Sequence, residues 1–260
     1  SLTGLSMALG VAVMICVIVL HSVTVRQFEQ DAQGYHLIVG GKSGALQLVL
    51  STVYHLGKPD YPIPYSYYRE FVDGRFAEVT ELAIPYCLGD SYESPNGKLY
   101  RVVGTTHELF DKIVYGTHKD GTEKHYEFRD GRNFRPERFF EAVVGSVVAA
   151  QSGLKVGDPL NPTHGISGEG EKHRQFKIVG ILAPTGTSND RAVFVNIEGF
   201  FLLEGHALTV PQGTPPEELT THVATGEGND GSPVEPLPDI QREVTSILVL
   251  CNSPLGPTVL

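Results

Sequence analysis

The first 25 residues carry no formal charge: every Lys, Arg, Asp and Glu of the chain, 50 in all, lies at or beyond Arg26. The run is dominated by Leu5, Met7, Leu9, Val11, Val13, Met14, Ile15, Val17, Ile18, Val19 and Leu20. About 20 residues at roughly 1.5 Å rise cross a hydrocarbon layer of about 30 Å, so the run is long enough to span a bilayer as a helix. A cleaved signal peptide is the rival reading. It is disfavoured because no basic segment precedes the apolar run, the run exceeds the usual apolar length, and no small-x-small cleavage site precedes Arg26. Small residues four apart (Gly4 with Ala8, Ser6 with Gly10, Ala8 with Ala12) would let a second membrane helix approach closely. Ser1 is not an initiator methionine, so a longer parent chain is expected, and the flanking Lys and Arg that set orientation are not in view.

Beyond Val25 the composition is that of a globular domain. Twenty Lys and Arg stand against 30 Asp and Glu, a net charge of -10, and no basic block is present to neutralise a row of phosphates. Nucleic-acid partners are therefore not expected. With 29 Gly and 17 Pro the chain favours short strands and turns over a helical bundle. The three cysteines, Cys16, Cys87 and Cys251, lie at no metal-ligand spacing. Only Cys87 and Cys251 lie outside the apolar run; they would either pair or remain two buried thiols, and no bridge is assigned.

Periodicity predicts the following elements. The apolar helix continues as a polar stalk over Arg26–Gln33, and His36–Val39 forms a strand. Ser43 caps a helix reaching Leu56, with Leu46, Val49, Leu50, Val53 and Leu56 on one face. A short helix covers Tyr65–Val72 and stops near Gly74. Strands follow at Glu78–Tyr86, Lys98–Thr105, Lys124–Arg129, Gln175–Leu182, Ala192–Val195 and Glu243–Leu250. In Phe176–Leu182 both alternate sets are mostly apolar, which marks a strand buried on both faces. Ala142–Ser152 reads as a helix ending at Gly153, and Ile197–Leu203 as a short one. Thr225–Asp239, rich in Gly and Pro, reads as an exposed mobile loop. The class is α+β: one N-terminal transmembrane helix and stalk (residues 1–33), then a mixed extracytoplasmic core (34–260), with two subdomains of which the second, over about 76–200, is richer in strands.

Catalytic motifs are scarce. Gly40-Gly41-Lys42-Ser43 resembles the end of a phosphate-binding loop, but His36 stands where the motif requires glycine, so ATP binding by this chain is rejected. Gly-x-Ser-x-Gly is absent, Gly145-Ser146-Val147 does not match a nucleophile elbow, and nothing favours a paired-carboxylate mechanism. No catalytic residue and no cofactor are assigned. Among ten histidines, His164 and His173, with Glu169 and Glu171 nearby, are the best metal-ligand candidates, because two imidazoles and a carboxylate suit zinc or copper. An ordinary solvated Gly-rich loop is the competing reading.

Three stretches together carry a family resemblance. The first is the apolar helix followed by Leu37-Ile38-Val39-Gly40-Gly41-Lys42-Ser43-Gly44-Ala45-Leu46-Gln47-Leu48-Val49-Leu50. The second is Val144-Gly145-Ser146-Val147-Val148-Ala149 with Gly153-Leu154-Lys155-Val156-Gly157-Asp158. The third is Phe176–Leu182 followed by Pro184–Val195. In this order they resemble the membrane helix and periplasmic core domain of a MacB/FtsX-type ABC transporter permease. The resemblance implies a non-enzymatic subunit of the bacterial inner membrane with its bulk in the periplasm. It implies as partners a cytoplasmic ABC ATPase, which would hold the ATP, a second permease copy or paralogue, and a periplasmic adaptor or lipoprotein. The sequence stops at Leu260 without further apolar spans, so this chain alone is not expected to transport. The polar turn with Thr185, Asn189, Asp190 and Arg191 is a candidate partner-contact loop. Two other readings stand beside the permease: a standalone membrane-anchored ligand- or metal-binding module, and an anchored envelope hydrolase.

Overall fold

The computed structural model describes residues 2–31, 34–42, 44–57, 61–165, 170–253 and 256–259. The N-terminal run is one helix, Leu2–Asp31. Its stretch Thr3–Val23 is the one described helix long and apolar enough to cross a membrane by length and composition. Leu5 to Val23 expose their apolar side chains all round the helix axis. Such a helix leaves no polar face for water, and hydrocarbon is the medium that suits it.

The remainder is built on one mixed sheet. Across it run Leu37–Gly40, Ser246–Cys251, Thr80–Glu93, Leu99–Thr105, Ala192–Asn196, Glu141–Val144, Phe176–Leu182 and Phe128–Gly131, with Pro159–Leu160 added to Phe176–Leu182. Two pairings are parallel, Leu99–Thr105 with Ala192–Asn196 and Glu141–Val144 with Phe176–Leu182; the rest are antiparallel. Near the N-terminus Leu37 pairs with Val249 and Gly40 with Ser246, so the chain leaves the sheet edge and returns to it more than 200 residues later. The 14-residue strand Thr80–Glu93 joins the two halves of the sheet. Its first part pairs with Ser246–Cys251 and its second with Leu99–Thr105.

Both faces of the sheet are buried, as alternation within single strands shows. Val102, Ala142, Val144, Ile178, Val193, Val195, Ile247 and Val249 belong to one apolar cluster, whereas their neighbours Val103, Val143, Val179, Phe194 and Leu248 belong to another. Tyr65 and Phe71 of the Tyr65–Val72 helix, Val148 and Ala149, and Phe200 and Phe201 cover the first face. Leu109, Phe110, Tyr126 and Phe134 cover the second. Phe176–Leu182 is thus buried from both sides, as its apolar composition predicts.

Several expected boundaries change. Ala142–Ser152 is not one helix: Glu141–Val144 is a central strand, and the helix is Ser146–Ser152, closed by left-handed Gly153. Two flanking strands take up the backbone groups of Ala142–Val144, a tertiary demand that outweighs local helix preference. The helix expected up to Leu56 ends at Thr52. His55 turns into the left-handed region (φ 56), and Leu56 N–H reaches back to the Leu50 carbonyl. Ser43, the expected cap, lies outside the described residues, as do Ala32 and Gln33 of the stalk. Lys124–Arg129 divides into Glu123–His125 and Phe128–Gly131, and Glu243–Leu250 into Glu243–Val244 and Ser246–Cys251. Thr225–Asp239 is not a free loop. Gly226–Glu227 pairs with Pro233–Val234, Phe139 N–H donates to the Glu227 carbonyl, and Val234 and Leu237 pack on the core. Cys87 and Cys251 are two separate buried thiols.

Candidate functional site

Asp90, next to the buried Ser91, is the one buried charge in the Thr80–Glu93 strand. The register between Thr80–Glu93 and Leu99–Thr105 slips between Leu88 and Asp90, and this bulge sets Asp90 opposite Val102. Asp90 is fully enclosed, 0% exposed, and neither carboxylate oxygen has a hydrogen-bond partner among the described residues. Three imidazoles surround it. His206 Nε2 is 3.2 Å and His173 Nε2 3.4 Å from Oδ2, and His164 Nδ1 is 3.6 Å from Oδ1. The three rings lie edge to face with centroids 5.1–5.4 Å apart. One donor atom from each of the four residues lies within 4.8 Å of the other three.

Backbone bonds fix this arrangement. Ser91 and Thr163 exchange N–H to carbonyl bonds of 3.1 and 2.8 Å, which lay the 161–165 segment along the strand beside Asp90. Thr163 bridges Lys172, His164 N–H donates to the Glu171 carbonyl and His173 N–H to the Pro162 carbonyl, so both histidines stand on a clamped pair of segments. Ser91 Oγ donates to the Gly165 carbonyl, and Asn161 Nδ2 to that of His173. His206 follows the Ile197–Phe201 helix; its N–H bonds the Leu203 carbonyl and its ring packs on Phe200 at 4.4 Å. Burial lowers the His173 pKa; Asp90 opposes this, and His206 and His164 lower it further. The neutral imidazole, which can donate a lone pair, is thereby favoured.

The structure brings the two sequence candidates, His164 and His173, together, and the carboxylate beside them is Asp90. Glu171 contributes its backbone carbonyl, and Glu169 lies outside the described residues. Asp90 and His206 were missed because they stand 74 residues before His164 and 33 after His173, beyond any local ligand spacing. The expected strand stopped at Tyr86, whereas the strand runs to Glu93 and carries Asp90 within it.

The family model for the MacB-like periplasmic core domain matches residues 1–235. The chain belongs to this family. Among solved structures, this MacB-like core is similar to the extracellular domain of the noncanonic ABC-type transporter YknZ from Gram-positive bacteria, with 9% identity, a TM-score of 0.44, and 76% and 78% of the two chains covered. It is also similar to the periplasmic region of MacB from Actinobacillus actinomycetemcomitans, with 12% identity, a TM-score of 0.41, and coverage of 85% and 76%. No curated protein sequence matches the chain.

The turn of the MacB-like core considered for partner contact directs most of its polar groups inward. Asp190 accepts from Thr185 N–H at 2.9 Å, Thr185 Oγ at 3.1 Å and Gly186 N–H at 2.8 Å. Asn189 donates to Tyr126 OH at 2.6 Å and pairs with His55 Nε2 at 3.0 Å, while Ser188 Oγ donates to the Val53 carbonyl. Arg191 is exposed. A partner meeting this turn would meet Pro184, Arg191 and backbone, with Thr185, Asn189 and Asp190 holding the turn's shape.

Proposed function

We propose that the chain is the membrane-anchored extracytoplasmic part of an ABC transporter permease subunit, which relays motion driven by a separate cytoplasmic ATPase to export or extraction of an envelope substrate. The observation that carries this reading is the family match, which takes in the apolar helix and most of the globular core, residues 1–235, as one unit. ATP is hydrolysed in the partner, and the chain itself supplies no catalytic group. It works with a second permease copy or paralogue in the bacterial inner membrane, and a periplasmic adaptor or lipoprotein is the expected envelope partner.

The geometry suits mechanical relay. Five residues separate Asp31, the end of the helix, from Leu37, the start of the edge strand, at most about 22 Å of extended chain. That link is itself tied to the sheet: His36 N–H donates to the Val249 carbonyl at 2.8 Å, and His36 Nδ1 accepts from Cys251 N–H at 3.0 Å. Displacement of the helix is therefore passed to the sheet edge through a short, bonded connection.

Affinity purification of the native full-length protein from membranes in mild detergent tests the reading. A stoichiometric ATPase with a phosphate-binding loop is expected. Its reproducible absence from intact protein would favour the standalone anchored binding module, a reading that the Asp90 cluster supports independently.

A further inference from the structure

We propose that Asp90, His164, His173 and His206 form a binding site for one divalent d-block cation of the zinc type. The donor set is three imidazole nitrogens and one carboxylate. Zinc bonds of about 2.0–2.1 Å in a tetrahedron place donors about 3.3 Å apart. The separations of His206 Nε2 and His173 Nε2 from Asp90 Oδ2, 3.2 and 3.4 Å, lie around that edge length, and His164 Nδ1 stands 3.6 Å from the other oxygen, Oδ1. With all four donors within 4.8 Å of one another, side-chain adjustments of a few tenths of an ångström to about an ångström close the shell.

Polar accounting leads to the same cation. A buried carboxylate normally takes several hydrogen bonds, and an unmet one is costly. Here both Asp90 oxygens and the Nε2 atoms of His173 and His206 lack a hydrogen-bond partner among the described residues, although they face one another closely. One cation would take up both Nε2 atoms and one of the two carboxylate oxygens at once. Arg101, also buried, does not fill this role: its Nη2 donates to the Gly57 carbonyl and its Nη1 has no partner.

The donor chemistry narrows the ion. Imidazoles with one carboxylate and no thiolate suit zinc and its neighbours, whereas calcium and magnesium require mostly oxygen donors. The site is closed on the strand side, where Asp90 is enclosed, and open at His164, whose side chain is 53% exposed and gives the ion a path from solvent. Binding would cross-link the Thr80–Glu93 strand, the clamped segments around His164 and His173, and the turn after Ile197–Phe201, which are distant in sequence.

The test uses the full chain in detergent, purified without a polyhistidine tag, stripped with a chelator and titrated with cobalt(II) or zinc(II) alone. One cobalt per chain with the intense visible bands of four-coordinate geometry, displaced by one equivalent of zinc, is expected. His164→Ala and His164→Gln alter an exposed side chain and should keep the wild-type circular dichroism spectrum while weakening zinc roughly 100-fold or more. Zinc should raise the unfolding temperature of the wild type and leave that of His164→Ala unchanged. A folded, stripped wild-type chain that takes up neither ion, or folded His164 variants that bind zinc as the wild type does, would overturn the proposal.

Discussion

Arg242 Nη1 donates to Glu198 Oε1 at 2.9 Å inside the core, with the guanidinium against the rings of both Tyr65 and Phe201. The same guanidinium donates through Nε and Nη2 to the Leu237 carbonyl at 2.8 and 2.6 Å and through Nη2 to Thr221 Oγ at 2.9 Å. One buried side chain thus holds the 221–237 segment against the helix that begins at Ile197. Burial raises the Glu198 pKa, and Arg242 counteracts it. Arg242→Met leaves a buried carboxylate uncompensated and is expected to cost about 3–5 kcal/mol, while Arg242→Met with Glu198→Met should recover part of that loss. Thermal unfolding of both variants checks this; a double variant no more stable than the single would contradict it.

His55 gives the domain an acid-sensitive contact. Burial lowers its pKa to about 4, the Asn189 hydrogen bond opposes the shift, and Arg101 adds to it. The unfolded chain, near 6.5, therefore takes up its proton first as pH falls. The stability contributed by neutral His55 is complete above about pH 6.5, declines between 6.5 and 4, and declines no further below 4. The total is about 2 kcal/mol once partial exposure is allowed for. His55→Asn, which tolerates the left-handed backbone, should flatten this part of a stability-pH profile. An unchanged profile would assign the acid sensitivity elsewhere.

The Pro184–Arg191 turn separates structural from surface roles at adjacent positions. Asp190→Ala removes the acceptor for two backbone N–H groups and a buried hydroxyl, and is expected to destabilise by about 2–4 kcal/mol. Arg191→Ala should stay within about 0.5 kcal/mol. Amide exchange at Thr185 and Gly186 should quicken in the first variant and remain unchanged in the second.

Gly180 stands where two backbones nearly touch: a Cβ there would collide with the Arg132 carbonyl and the Phe128 ring. Gly180→Ala should therefore cost about 1–3 kcal/mol through displaced strands. Gly153→Ala, where a Cβ meets open space but the backbone is left-handed, should cost about 1 kcal/mol. Denaturation midpoints that reverse this order would show that the Phe128–Gly131 edge yields more easily than its packing suggests.

Legibility in the sequence followed the range of the interactions. The membrane helix was readable because a charge-free run answers to a solvent, and no tertiary partner is needed to interpret it. Tyr65–Val72, Leu99–Thr105, Phe176–Leu182 and Ala192–Asn196 were readable because their apolar patterns are local. The Glu141–Val144 strand was not, since its conformation is set by strands that begin about 30 and 50 residues later.

The candidate site divides along the same line. The sequence by itself determined that the chain begins with a helix suited to hydrocarbon and that the rest is an acidic α+β domain of a recognisable family; it offered His164 and His173 as candidates beside a solvated loop. Only the tertiary structure brought in Asp90 and His206, because a bulge at Leu88–Asp90 and the turn after Ile197–Phe201 converge through sheet pairing between distant strands. Hydrophobic periodicity records which face of a strand is buried. It carries no information on which polar group across the fold will meet a charge buried there.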